Sequence, residues 1–126
     1  KDSEYKMKYI TEIMASKEMY LARYYLQREK WIPSIKRFKN IVNHYDTTIY
    51  IEEALHRLVE LHYKIGLENE AKKYANILGY NYKSSEWYKK SYTVFNKMYE
   101  KEQRKVRKKK KKNKNIIKKK FKSLFE

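Results

Sequence analysis

The apolar positions of the chain follow a helical period through most of its length. Between residues 4 and 29 there is no Gly or Pro, and apolar side chains recur three and four positions apart, which predicts one long helix. Its apolar stripe consists of Ile10, Ile13, Met14, Leu21, Tyr24 and Tyr25. The run "YYLQREKWIPSIKRF" (24–38) then predicts a corner at residues 29–32, with Pro33 in the first turn of a second helix. That helix has its inner face at Ile35, Phe38, Ile41 and Val42.

Three further helices are predicted after residue 46. Thr47 and Thr48 are candidate caps for the third helix, and Gly66 is expected to end it in the left-handed conformation. A fourth helix is expected over 68–78, stopping at Gly79. Ser84 or Ser85 is expected to cap a last helix. The stripe of the third helix is Ile51, Leu55, Leu58, Val59 and His62, and that of the last is Trp87, Tyr88, Tyr92, Phe95 and Met98.

The helix pairs repeat along the chain with a shift of 37 residues, which relates Leu21 to Leu58 and Tyr45 to Tyr82. Within each unit the pattern is close to that of a tetratricopeptide repeat (TPR). The matching positions are Leu21, Ala22, Tyr25, Trp31, Ser34, Phe38 and Ile41 in the first unit, and Leu58, Val59, His62, Gly66, Ala71, Ala75 and Leu78 in the second. We therefore expect an all-α TPR α-solenoid.

The expected organisation is a repeat domain at 1–100 followed by a basic tail at 101–126. The repeat domain would contain units at about 15–48 and 52–83 and a final helix at 85–100. Asp46 and Lys83 stand where such repeats usually close with Pro. Because two helix pairs leave open faces, the long first helix is expected to adjoin further repeats, and the chain is expected to be part of a longer protein.

Positive charge is concentrated at the carboxyl end of the sequence. Of the formal net charge of +17, residues 101–126 supply 14 basic and 2 acidic side chains. The segment "KVRKKKKKNKNIIKKKFKSLFE" (105–126) also places Ile117, Phe121, Leu124 and Phe125 at helical spacing. Two interpretations remain open, namely a basic amphipathic helix suited to an anionic membrane surface and a disordered, solvated tail.

The sequence contains no pattern that predicts an enzyme. There is no Cys, no Gly-rich phosphate loop and no Ser/His/Asp arrangement, and no cofactor is expected. Glu53 and His56 form a single Glu-x-x-His pair, whereas carboxylate-bridged metal sites need two copies. We therefore expect an exposed polar pair there rather than a metal site.

Three stretches of the sequence resemble the BamD family, TPR lipoproteins of the outer-membrane β-barrel assembly (BAM) machinery. They are "YLARYYLQREKWIPSIKRFKNIVNHY", "EEALHRLVELHYKIGLENEAKKYANILGYN" and "SEWYKKSY", and they look most like the alphaproteobacterial branch. The resemblance implies a non-catalytic scaffold at the periplasmic face of the outer membrane, whose C-terminal repeats dock on a POTRA domain of the barrel subunit BamA. It covers the C-terminal half of such proteins, without the lipid-attachment Cys and the N-terminal repeats.

The resemblance also implies a partner-binding residue. In the family, an Arg on the second helix of the penultimate repeat pairs with an acidic residue of the POTRA domain, and Arg37 occupies that position here. Lys36, Lys30 and Tyr45 are expected on the same face. Packing alone gives no reason to require Arg37. The alternatives are a module whose tail binds anionic lipid or, less favoured, nucleic acid, and a TPR scaffold for another partner.

Overall fold

The computed structural model describes residues 1–83 and 85–125, with the side chains of residues 98, 99, 102 and 103 left out. Within these ranges the chain forms five α-helices and no strand. They are α1 (Asp2–Gln27), α2 (Trp31–His44), α3 (Ile51–Lys64), α4 (Glu68–Asn81) and α5 (Glu86–Leu124). Ser84 and the side chain of Met98, which the sequence assigned to the last helix, lie outside the described residues.

The helices stack in chain order, and this confirms the all-α, TPR-like fold. α1 contacts α2, α2 contacts α3, and α3 contacts α4. The fully buried large side chains are mostly those of the repeat positions. They include Phe38, Met19, Ile41, Leu55, Leu58, Leu61 and Leu78. Burial of such a side chain stabilises the fold by about 1.5–3 kcal/mol.

The corner after the first helix of each pair has the same backbone geometry in both repeats. After α1 the amide of Lys30 donates to the carbonyl of Tyr25 at 3.0 Å, and after α3 the amide of Leu67 donates to His62 at 2.8 Å. These bonds define Schellman ends, which need a left-handed residue just before the donor. Glu29 supplies it with φ 58° and Gly66 with φ 89°.

The second helices of the two pairs, α2 and α4, also correspond to each other position by position along the sequence. α2 and α4 each have 14 residues, and α4 begins and ends 37 positions after α2. Their C-cap residues have nearly the same conformation, with φ −133° and ψ 35° at Tyr45 and φ −137° and ψ 39° at Tyr82. The repeat is therefore a property of the backbone as well as of the apolar pattern.

The buried face of α1 differs from its predicted apolar stripe. Ile10, Met14 and Tyr24 are 55%, 48% and 39% exposed, whereas Ala15, Met19 and Ala22 are buried. The reason is a close approach to α2, where the hydroxyl of fully buried Ser34 donates to the carbonyl of Ala22 at 2.9 Å. A small residue at position 22 permits that distance, and the inner face of α1 therefore combines the small Ala15 and Ala22 with the large Met19.

The sequence suggested Thr47 and Thr48 as caps of α3, and this prediction was wrong. The N-cap of α3 is Tyr50, and no side chain bonds to the free amides there. The Thr48 hydroxyl instead donates to the carbonyl of Tyr45 at 2.7 Å and closes the preceding turn. At α5 the prediction is confirmed for Ser85, whose hydroxyl oxygen accepts a bond from the amide of Tyr88 at 3.0 Å.

Gly79 lies inside α4 and does not end it. A Cβ at this position would stand 2.8 Å from Cε2 of Tyr88, which is closer than atoms tolerate. The glycine therefore makes room for the Tyr88 ring, and α4 continues to Asn81. This use of a glycine cannot be distinguished from a helix stop by local sequence alone.

Contacts divide the chain into two units, Lys1–Tyr92 and Thr93–Glu126. The first unit contains α1 to α4 and the beginning of α5. Its α5 residues Trp87 and Ser91 contact α3. The second unit contains the rest of α5, which is helical as far as Leu124.

The left-handed corner generates a stability prediction. We expect Glu29→Gly to raise the free energy of unfolding by about 0.5–1 kcal/mol, because Gly occupies positive φ without steric cost. We expect Gly66→Ala to lower it by about 1 kcal/mol for the converse reason. Urea unfolding followed by circular dichroism measures both changes.

The control is Glu29→Ala, which removes the carboxylate but keeps the Cβ. It should leave the stability nearly unchanged. An equal gain from Ala and Gly would attribute the effect to the Glu29 side chain and contradict the backbone explanation.

Candidate partner-binding site

Arg37 lies on α2 and forms an ion pair with α1. Its Nη1 is 3.2 Å from Oε1 and 3.4 Å from Oε2 of Glu18, and Asn40 Nδ2 is 3.4 Å from Oε2 of the same carboxylate. The Arg37 side chain is 36% exposed and that of Glu18 is 20% exposed. The expectation that packing gives no reason for an Arg at position 37 was therefore wrong, because its guanidinium connects α2 to α1. The Nη1 edge of the guanidinium faces Glu18.

The other three predicted site residues are distributed around α2. Lys30 is the exposed N-cap of the helix, about two turns before Arg37. Tyr45 is the half-buried C-cap, about two turns after it, and its ring lies 6.4 Å from that of His44. Lys36 is exposed, but one residue corresponds to about 100° of rotation in an α-helix. Lys30 thus lies on nearly the same side of the helix as Arg37, whereas Tyr45 and Lys36 lie about 80° and about 100° around it in opposite directions.

A second ion pair connects α1 with α3. Arg23 contacts Glu53 through Nη2 and Oε2, and the Glu53 side chain is only 11% exposed. This carboxylate is therefore committed to a structural contact. The expectation that Glu53 and His56 form an exposed polar pair was wrong, because α1 covers the first and α5 covers the second.

His56 is the centre of a buried polar network between α3 and the beginning of α5. Its Nδ1 is 2.6 Å from Oγ of Ser91, and its Nε2 is 2.8 Å from Oε1 of Glu60. His56 and Ser91 are 2% and 1% exposed, and the ring of Trp87 lies 5.3 Å from that of His56. Buried polar groups need such partners, so the network fixes the position of this part of α5 on α3.

Glu60 connects the network to the partly buried guanidinium of Arg57. Nη1 of Arg57 is 3.0 Å from Oε2 of Glu60. Burial by itself would raise the pKa of Glu60, but the hydrogen bonds and positive charges of His56 and Arg57 outweigh it and lower the pKa below its ordinary value of 4.5. The spacing of His56 and Arg57 relative to Glu60, four and three residues, is the signal by which the sequence could have indicated this cluster.

The described residues offer sites for charge recognition rather than for a metal. Among them, no group of three His, Cys, Asp or Glu side chains is placed to hold an ion. Glu53 contacts Arg23, whereas His56 contacts Ser91 and Glu60, so the two side chains have different partners. The partly exposed guanidinium of Arg37 can bind a carboxylate by charge-assisted hydrogen bonds.

The fold and this surface define a helical-repeat protein whose helix α2 presents positive side chains. The family profile described as an outer membrane lipoprotein, YfiO, matches residues 1–78. The chain therefore belongs to this family, and the resemblance seen in the sequence is confirmed.

Curated relatives agree with this assignment and include the alphaproteobacterial proteins expected. The chain is 43% identical over 93 residues to the outer membrane protein assembly factor BamD of Rickettsia prowazekii (strain Madrid E), covering 74% of this chain and 37% of the relative. It is 38% identical over 95 residues to BamD of Caulobacter vibrioides, covering 75% and 31%. BamD of Neisseria gonorrhoeae is 36% identical over 63 residues, covering 50% and 23%. The chain thus spans about a third of the length of the first two relatives.

The lowered pKa of Glu60 predicts a pH dependence of stability. Its folded-state pKa lies below the unfolded value, so its ionised form stabilises the fold above pH 4.5, and this contribution is lost as the pH falls through the folded pKa. We expect the stability advantage of the parent over Glu60→Gln to shrink as the solution is acidified. Urea unfolding of both proteins from neutral to acidic pH measures it.

Glu100→Gln on α5 provides the control, since Glu100 is exposed. It should leave the pH profile close to that of the parent. A constant difference between the parent and Glu60→Gln at every pH would contradict the assignment of the acid sensitivity to Glu60.

Proposed function

We propose that this chain acts in outer membrane protein assembly as a non-catalytic scaffold, through repeats that dock on a POTRA domain of BamA. Membership of the YfiO family supports the assembly role, since its curated relatives are named assembly factors. The proposed location is the periplasmic face of the outer membrane. In the part of the chain that the structure describes, no helix is long and apolar enough to cross a bilayer.

The observation that carries the docking proposal is the state of Arg37. Nη1 of Arg37 is bonded to Glu18, yet the Arg37 side chain is 36% exposed. A guanidinium has five N–H donors in a planar fork, so donors beyond Nη1 can bind a second carboxylate. Glu18 fixes the direction of the fork, and a fixed fork loses less conformational entropy when a partner binds.

The neighbours of Arg37 would add to this contact. Lys30 supplies an exposed positive charge on the N-terminal side, and Tyr45 supplies a phenol on the C-terminal side. Lys36 would meet a partner only at the edge of the surface. We therefore assign the main polar contact to Arg37, with Lys30 strengthening the attraction to an acidic surface.

The binding prediction concerns Arg37 itself. We expect Arg37→Ala to weaken binding to isolated BamA POTRA domains at least about tenfold, because removal of one partner leaves a carboxylate unpaired. Arg37→Lys should weaken binding almost as much, because an ammonium cannot satisfy Glu18 and a partner carboxylate in the planar geometry of the fork. Titration calorimetry measures the affinities, and circular dichroism checks that folding is intact.

Glu18→Gln separates recognition from internal structure. It removes the intramolecular charge pair but keeps Arg37, so it should bind POTRA domains much better than Arg37→Ala. If the two variants lost binding equally, Arg37 would act only through the α1–α2 interface. If the parent bound no POTRA domain, a scaffold for a different partner would become the better hypothesis.

A further inference from the structure

The second unit of the chain concentrates positive charge on one helix. Between residues 101 and 126 the sequence carries 14 basic and 2 acidic side chains. Nearly all of this segment is helical, since α5 continues to Leu124, and its described side chains are exposed. Such a density of positive charge requires an anionic partner or a large counterion atmosphere.

A line of apolar side chains follows the same helix. With about 100° of rotation per residue, Ile117, Phe121 and Leu124 fall within a sector of about 60°. Val106 falls in the same sector, but Lys110 also lies there, so the continuous apolar line begins at Ile117. Phe125 extends the line at its end, where its ring lies 5.0 Å from that of Phe121. The opposite half of the helix carries lysines, which are Lys108, Lys111, Lys112, Lys118, Lys119 and Lys122. The segment is therefore amphipathic and not merely basic.

The side chains of this apolar line are exposed in the structure. Ile117 is 65% exposed, Phe121 63% and Leu124 80%. Exposed large apolar side chains in a contiguous line are unfavourable in water and indicate an interaction surface. The line therefore needs an apolar partner that also tolerates many lysines beside it.

We propose that residues 105–124 of α5 lie in the interface of an anionic phospholipid bilayer. The apolar line would enter the boundary between headgroups and acyl chains, and the lysines would remain at the level of the phosphates. Each lysine near such a surface is attracted to it, and long lysine side chains reach outward from a partly buried helix. The helix is about 30 Å long over these 20 residues, so it would rest along the membrane surface.

Two other occupants fit the observations less well. A nucleic acid would neutralise the lysines but would leave Ile117, Phe121 and Leu124 in water, because its backbone attracts charge alone. A second copy of the helix would cover the apolar line but would bring two strongly positive segments together. Of these three occupants, an anionic lipid surface is the one that satisfies the charge and the apolar line together.

The test uses the whole chain and a composition-preserving variant. In the swapped variant, Ile117→Lys and Lys114→Ile form one exchange, and Phe121→Lys and Lys119→Phe form the other. Net charge and composition stay the same, while the apolar residues are distributed around the helix and no longer form a line. The control variant Lys122→Ser, Ser123→Lys exchanges two residues on the polar side. Flotation with vesicles of equal parts phosphatidylglycerol and phosphatidylcholine measures binding, and vesicles of phosphatidylcholine alone test the charge requirement.

We expect the parent and the control variant to float with the anionic vesicles, and the swapped variant to bind at least about tenfold more weakly, since two large apolar side chains no longer enter the bilayer. Equal binding by the swapped variant would overturn the proposal, because charge alone, as in nucleic-acid binding, would then suffice. Absence of vesicle binding by the parent, or equal binding to the neutral vesicles, would also overturn it. Circular dichroism must show the same helix content in all three proteins.

Discussion

The left-handed residue at the end of the first helix of each pair determines how the repeats are built. With φ positive at Glu29 and Gly66, the chain closes a Schellman end and starts the next helix two residues later. This fixed corner sets the register in which α2 meets α1, and α4 meets α3. The bond from Ser34 to Ala22 and the ion pair from Arg37 to Glu18 both need that register. A non-glycine residue at position 29 shows that packing across the pair outweighs the local cost of the conformation.

The helices and their repeat could be predicted from the sequence because they depend on local periods. Apolar spacing, Pro33 and Gly66 each act within one helix or one corner, and the shift of 37 residues follows from comparing such local patterns. The role of Gly79 could not be predicted in this way. Its function depends on the ring of Tyr88, which belongs to another helix, and a glycine that makes room for a ring looks like one that ends a helix.

The polar contacts were less predictable than the helices. Glu53 and His56 appear on the sequence as an ordinary pair of surface residues. Their burial depends on Arg23, 30 residues earlier, and on Ser91, 35 residues later. No local pattern specifies which charged residue will be covered by a distant helix, so the partners become apparent only from the three-dimensional arrangement. The family resemblance indicated Arg37 as a candidate binding residue, but it did not indicate Glu18 as the internal partner of Arg37.

The ion pair between Arg37 and Glu18 determines how strongly the proposed contact surface attracts an acidic partner. Glu18 orients the guanidinium, but its own carboxylate repels any acidic group that approaches the same fork. Arg37 and Glu18 together carry no net charge, so the attraction of an acidic surface must come from the other cations nearby. Lys30 lies about two turns away along α2 and is exposed, so it can supply that attraction without competing for the fork. In the proposed contact, Arg37 therefore orients the hydrogen bonds to the partner carboxylate, and Lys30 supplies the net positive charge that attracts it. The surface remains positive although Arg37 is already paired with Glu18.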